Sequence, residues 1–248
     1  SYEVSRALKA CEGAVLLVDA SQGVQAQTIA NVDLALENKL TIIPVINKID
    51  LPQSEPDRVA EDIATLFGFA KEEILFLSAK TGENVDQLLK TIVKRIPCPN
   101  VIPGEKLRAL IFDSLYDPYR GIITYVRVFD GSIRTNEKIF MMGTKVVSEL
   151  SELGIFVPEP KQTELLSAGS VGYFVTNLKS IQESKVGDTI TLAEAGSNIP
   201  VPGFKKQKSM VFAGIYPTEG KDYNELRKSL ERLQLNDAAI SFTPDTTS

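Results

Sequence analysis

Two short clusters carry the chemistry of this chain. Residues 42–50 read I-I-P-V-I-N-K-I-D, an apolar run that delivers Asn47, Lys48, Ile49 and Asp50. Residues 74–80 read I-L-F-L-S-A-K, a second apolar run that delivers Ser78, Ala79 and Lys80. The carboxylate of Asp50 can accept two hydrogen bonds from N1–H and the exocyclic amine of guanine, whereas adenine offers no matching pair of donors. A buried acceptor left unpaired costs about 1–3 kcal/mol, and more when charged, so one residue suffices to choose the base. The aliphatic stem of Lys48 can lie along the purine face, Asn47 can tie neighbouring loops together, and the Ala79 N–H can meet the guanine O6. Asn47, Lys48, Asp50, Ser78, Ala79 and Lys80 are therefore the predicted nucleotide-binding residues.

Taken singly, N-K-x-D also occurs in surface loops and S-A-K also opens helices. Their occurrence together, each after a buried-type strand and with a helical segment between them, leaves chance a minor explanation. Nucleotides bind in the crevice at the carboxyl ends of the strands of an open parallel sheet, which is where both clusters fall.

The phosphate half of such a site needs a glycine-rich turn, a lysine and a Ser/Thr for Mg²⁺. The chain has no G-x-x-x-x-G-K-[ST] and no histidine to orient a water, so no catalytic residue and no metal ligand is predicted within it, and the chain alone is expected to be inactive. The runs 14–18, 41–46 and 74–77 alternate with helical segments, the pattern of parallel strands buried on both faces. Phosphate-loop strands lie centrally in such sheets, so a sheet beginning here would bare an apolar edge. The chain also opens at Ser1 without methionine, already in helical phase through Val4, Leu8 and Cys11. These features predict part of a longer protein.

At 248 residues and 43% hydrophobic, the chain is long enough for more than one core. It has no apolar run long enough to span a bilayer and no secretory signal, which predicts a cytoplasmic protein. A formal charge of −5 argues against gripping nucleic acid by bulk electrostatics. Any RNA contact must be local, the candidate being the basic stretch at 205–208 with Arg227, Lys228 and Arg232, although such runs are commonly solvated faces. Cys11 and Cys98 are too few for a zinc site or a disulfide framework, and Cys11 reads as a small core residue.

Three regions follow. Residues 1–98 read as part of an incomplete α/β P-loop-type GTP-binding domain with a parallel sheet. Ile29, Val32 and Leu36 share one helix face, Val59, Ile63 and Phe67 another, and Leu88, Leu89, Ile92, Val93 and Ile96 a third. Ser54 with Asp57, and Asn84 with Gln87, look like helix starts. Prolines at 97, 99 and 103 mark a linker, and residues 99–200 read as a β-barrel with strands near 107–112, 122–129, 138–142, 171–175 and 189–192. Residues 201–248 read as the first half of a ferredoxin-like α+β domain, with strands at 209–215 and 239–242 around a helix at 223–233.

That order resembles translational GTPases, and particular stretches sharpen the likeness. The segments Ser1-Tyr2-Glu3-Val4-Ser5-Arg6, Cys11-Glu12-Gly13-Ala14 and the run from Val18 to Thr28 resemble the region just after the D-x-P-G-H motif of the LepA family, also called elongation factor four. Leu153-Gly154-Ile155-Phe156, Val171-Gly172-Tyr173, Val186-Gly187-Asp188-Thr189, Pro202-Gly203-Phe204-Lys205 and Leu235-Asn236-Asp237-Ala238 are similar to further family stretches. Elongation factor G shares the domain order but not the last two. One departure is Asn136-Glu137, where translational GTPases commonly carry G-D; asparagine tolerates the positive φ of such a turn.

The resemblance implies a ribosome-associated GTP hydrolase in its complete form, binding GTP or GDP with Mg²⁺ whose ligands lie upstream of Ser1. It implies contact with ribosomal RNA and ribosomal proteins, action on the translocation state, initiation or ribosome assembly, and peripheral association with the inner membrane. No obligate homo-oligomer is expected. Residues 1–6 would lie on the switch helix that turns a change of nucleotide into movement of the barrel. Arg120-Gly121 resembles a turn that touches ribosomal RNA, but reads equally as a hairpin with an exposed arginine; Tyr116, Tyr119 and Tyr125 could stack on RNA or pair within the fold. A nucleotide-free ribosome-docking module and a GTPase of the BipA type are the alternatives.

Overall fold

The computed structural model describes residues 2–102, 104–117, 119–176, 183–202, 212–236, 240 and 242–244. The chain divides into two compact units, residues 3–99 and 100–248.

The first unit runs α1 (Tyr2–Leu8), β1 (Gly13–Asp19), α2 (Ala26–Glu37), β2 (Thr41–Asn47), α3 (Pro56–Phe67), β3 (Leu75–Phe76) and α4 (Val85–Arg95). The strands form a parallel sheet in the order β1-β2-β3, with Asp19 opposite Asn47 and Ile46 opposite Phe76. Because side chains alternate along a strand, β2 feeds two cores. Ile42 packs with Val32 and Ala35 of α2, and Ile46 with Val59, Ala60 and Ile63 of α3. On the opposite face Ile43 and Val45 meet Leu88 and Ile92 of α4 and Ile96 just beyond it.

The outer strand departs from the expectation of burial on both faces. In β1, Val18 is buried and Leu16 packs inward, but Val15 and Leu17 are 37% and 56% exposed. Three further expectations are corrected. Ile29 and Leu36 lie exposed, and α2 buries Val32, as expected, together with Ala35. Leu89 and Val93 of α4 face solvent, while Leu88 and Ile92 of the same predicted face meet the sheet. Cys11 is exposed, its Sγ donating to the Ala7 carbonyl at 3.3 Å.

The helix starts also differ from the sequence pattern. Glu55, not Ser54, occupies the N-cap of α3, with Pro56 at the first helical position, where its missing N–H costs nothing. Ser54 donates instead to the Ile49 carbonyl, 3.2 Å away. Asn84 does precede α4, but in a left-handed conformation, and its side-chain amide reaches back to the Phe76 carbonyl at 2.9 Å.

In the second unit β4 (Arg108–Asp117), β5 (Gly121–Asp130), β7 (Lys138–Met141), β8 (Val147–Phe156), β11 (Val171–Thr176) and β12 (Thr189–Leu192) form a closed antiparallel ring in the order β11-β5-β4-β12-β7-β8, with β8 pairing back onto β11. Short strands β6 (Ser132–Arg134), β9 (Pro160–Gln162) and β10 (Leu165–Ser167) attach to it. Closure removes free edges and encloses Ile111, Val126, Val128, Met141, Leu153 and Phe174. Asn136 takes φ 65° in its turn, a conformation that asparagine tolerates. Gly154 is needed for proximity: a Cβ there would strike the Tyr173 ring. The buried Asp188 carboxylate accepts from the Thr144 and Thr189 amides at 3.0 and 2.7 Å, which accounts for the G-D-T stretch.

Beyond the barrel the described residues contain one α-helix, α5 (Tyr223–Asn236). Residues 212–215, 240 and 242 are irregular, where strands were expected; residues 209–211, 239 and 241 lie outside the described residues, as do Ser1 and the basic stretch at 205–208.

Candidate guanine-nucleotide site

The sequence places both polar clusters at carboxyl ends of neighbouring parallel strands, and the structure ties them into one unit. As β2 ends at Asn47, the chain turns through a left-handed Lys48, φ 67°. The Asn47 side-chain oxygen accepts from the Lys48 N–H at 2.8 Å and from the Ala79 N–H at 3.0 Å, so a single carboxamide holds the first loop to the second. Ser78 is fully buried and donates to the Asp50 carboxylate at 2.7 Å, fixing one oxygen of the residue assigned to the base. Ser78 Oγ in turn accepts the Thr81 N–H at 3.2 Å, and the Gly82 N–H bonds the Ser78 carbonyl at 2.9 Å. Ala79 and Lys80 are exposed, and Lys80 makes no ion pair among the described residues.

The Ala79 amide is already engaged by Asn47, so a purine O6 reaching it would share that hydrogen rather than find it free. The Lys48 ammonium lies 2.6 Å from the Asp19 carboxylate, at the end of β1. Asp19 also accepts from the Ser21 N–H at 2.8 Å and the Ser21 hydroxyl at 2.7 Å. The Lys48 ammonium first, and then the two Ser21 donors, hold the Asp19 carboxyl down to about 2. Sequence reading missed Asp19 and Ser21. The signal was present: Asp19 ends the run at 14–18 as Asn47 ends the run at 41–46, and the two are register partners.

The barrel turn resolves differently. The Asp117 carboxylate accepts the amides of Tyr119 and Arg120 at 2.8 and 2.9 Å, closing the hairpin. The Arg120 guanidinium turns inward onto Glu152 of β8 and lies over the Tyr173 ring, 5.2 Å from its centroid. Tyr173 donates to the same Glu152 carboxylate at 2.8 Å. Tyr125 meets Phe156 edge-on at 5.2 Å, while Tyr119 is 97% exposed. Tyr119 and Tyr125 are therefore not parts of one surface set; the Tyr116 side chain lies outside the described residues.

Residues 1–98 match the family described as Elongation factor Tu GTP binding domain, and residues 121–191 the one described as Elongation factor Tu domain 2. Of solved structures, the chain is similar to the translation elongation factor SelB of Methanococcus maripaludis in complex with the GTP analogue GppNHp (TM-score 0.63, 18% identity, 77% of this chain and 43% of that one). A protein of Thermus thermophilus matches over 99% of this chain and 50% of its own (TM-score 0.73, 16% identity). An α/β GTP-binding unit followed by a closed barrel is the arrangement of the translational GTPases. Elongation factor 4 of Nocardia farcinica is 53% identical over 246 residues, 99% of this chain and 40% of that protein. The same factor from Mycobacterium leprae is 54% identical over 99% of this chain and 38% of its own length. Along nearly its whole length the chain is similar to elongation factor 4, the LepA family, and it spans about 40% of the length of the curated relatives it matches.

Proposed function

We propose that this chain supplies the base-recognition part of a ribosome-associated translation factor that binds and hydrolyses GTP in its complete form. The observation that carries the proposal is the cross-linked pair of loops: Asn47 joins the strand ends, and Ser78 presents the Asp50 carboxylate beside it. Asp50 reads the N1–H and exocyclic amine, the Lys48 stem flanks the ring, and the Ser78-Ala79-Lys80 loop closes over the O6 side. The donor set fits a guanine base. GTP or GDP would arrive with Mg²⁺, which stabilises charge on the phosphates during transfer. Its ligands are assigned to residues upstream of Ser1, as part of the same proposal.

The domain boundaries at 98 and 200, the ferredoxin-like third region and the inactivity of this chain alone belong to the same proposal. So do ribosome binding through RNA and ribosomal proteins, a cytoplasmic location and peripheral contact with the inner membrane. Among the described residues no helix is long and apolar enough to cross a membrane.

The test is Asp50→Asn in the complete protein. An amide donates where the carboxylate accepted, so preference should move from guanine to xanthine nucleotides by about a hundredfold or more. Competition binding that left guanine preference intact would remove Asp50 from the site.

A further inference from the structure

The base site as assigned contains a lysine whose role depends on where its stem lies, and the structure shows what holds it. Lys48 sits in a left-handed turn, 51% exposed along its side chain, a setting in which a four-carbon stem samples many rotamers. Its ammonium is pinned instead by a carboxylate from the neighbouring strand, 29 positions earlier in the chain. That carboxylate is only 18% exposed and is itself fixed by Ser21, which uses its backbone and its hydroxyl on the other oxygen. The backbone around it is equally constrained: the amides of Gln22 and Gly23 both bond the Asp19 carbonyl, at 3.2 and 2.9 Å.

We propose that Asp19 is a positioning residue for nucleotide binding: held by Ser21, its carboxylate tethers the Lys48 ammonium and so lays the lysine stem flat as a platform for the purine. The proposal rests on the guanine reading above. Asp19 touches no part of the nucleotide in this arrangement and acts only through Lys48. A platform formed before binding spares the ligand the entropy of ordering it, which is felt as slower dissociation. The same tether neutralises the lysine, leaving base choice to Asp50.

The experiment measures GDP affinity and dissociation in the complete protein for Asp19→Asn, Lys48→Met and the double variant. Asp19→Asn should weaken GDP about tenfold, mainly through faster dissociation, with the guanine-over-xanthine ratio unchanged. Lys48→Met keeps a stem but no ammonium, so adding Asp19→Asn to it should cost nothing more; contacting residues that act through one another couple in this way. Unchanged GDP affinity in Asp19→Asn overturns the proposal, as does an equal loss in the presence and absence of the lysine. If Asp19→Asn does not fold, Ser21→Ala carries the test, with a smaller loss in the same direction that again vanishes in Lys48→Met; no loss there overturns the idea. Failure of the wild type to bind GDP, or an unaltered base preference in Asp50→Asn, would instead defeat the underlying guanine assignment.

Discussion

The loop pair at Asp50 and the barrel turn at Arg120 are both polar clusters at strand ends, yet they settle their charges in opposite ways. At the barrel turn the charges are settled inwardly: Arg120 is held by Glu152 and covers Tyr173, and one oxygen of Asp117 accepts two amides of its own turn. Its hydrogen-bonded amides hold the Asp117 carboxyl below the usual range. At the loop pair one carboxylate oxygen of Asp50 is oriented by a buried serine, while Lys80 stands in the open with no ion pair among the described residues. An arginine at a hairpin tip is legible in sequence; whether it faces a partner or its own barrel depends on a glutamate 32 residues away.

Substitutions should separate the two regions, the largest effect being the base switch of Asp50→Asn, with little change in unfolding. Gly154→Ala should do the reverse. Its new methyl falls on the Tyr173 ring, and overpacking of that kind costs about 1–3 kcal/mol, so the barrel's urea transition should shift while GDP binding persists. Arg120→Ala should be milder, about 1–2 kcal/mol, since Glu152 keeps the hydrogen bond from Tyr173 after losing its cation. Loss of GDP affinity in Arg120→Ala, measured calorimetrically, would contradict the division of labour between the two regions.

The barrel also shows what a sequence hides. The segment 147–156, V-S-E-L-S-E-L-G-I-F, has its buried leucines at 150 and 153, a spacing of three that lacks strand alternation. The structure explains the spacing. Thr176 pairs with Leu150 and the adjacent Val175 with Glu152, so Ser151 is an extra residue whose hydroxyl bonds the Val175 carbonyl at 3.0 Å. The bulge returns both leucines to the interior. Strands β4, β5, β11 and β12 kept period two or a continuous apolar run and were readable. In the first unit the polar loops were readable because apolar runs end in them, and so was the α3 face of Val59, Ile63 and Phe67, whereas the faces of α2 and α4 were read too wide: Val32 and Leu88 pack inward, but Ile29, Leu36, Leu89 and Val93 are exposed. Asp19 was overlooked because a lone aspartate after a strand acquires meaning only when β1 is placed beside β2.

The smallest effect tests that last placement directly. Asp19 titrates at about 2 against a usual 3.8, so its native carboxylate holds its proton less tightly than an unfolded one. A lowered value means that the stabilisation is complete above about pH 4 and fades as pH falls toward about 2, where native Asp19 is itself protonated. NMR titration of the Asp19 carboxyl carbon should give a midpoint near 2 in the wild type, moving toward 3.8 in Lys48→Met, because the lysine is the first of the groups holding it down. Ser21 retains its two hydrogen bonds in that variant, so the shift should stop short of the ordinary value. A midpoint indifferent to Lys48 would mean that the 2.6 Å pair does not persist in solution, and the contrast between an inward-turned barrel arginine and a lysine tethered across two strand ends would lose its second member.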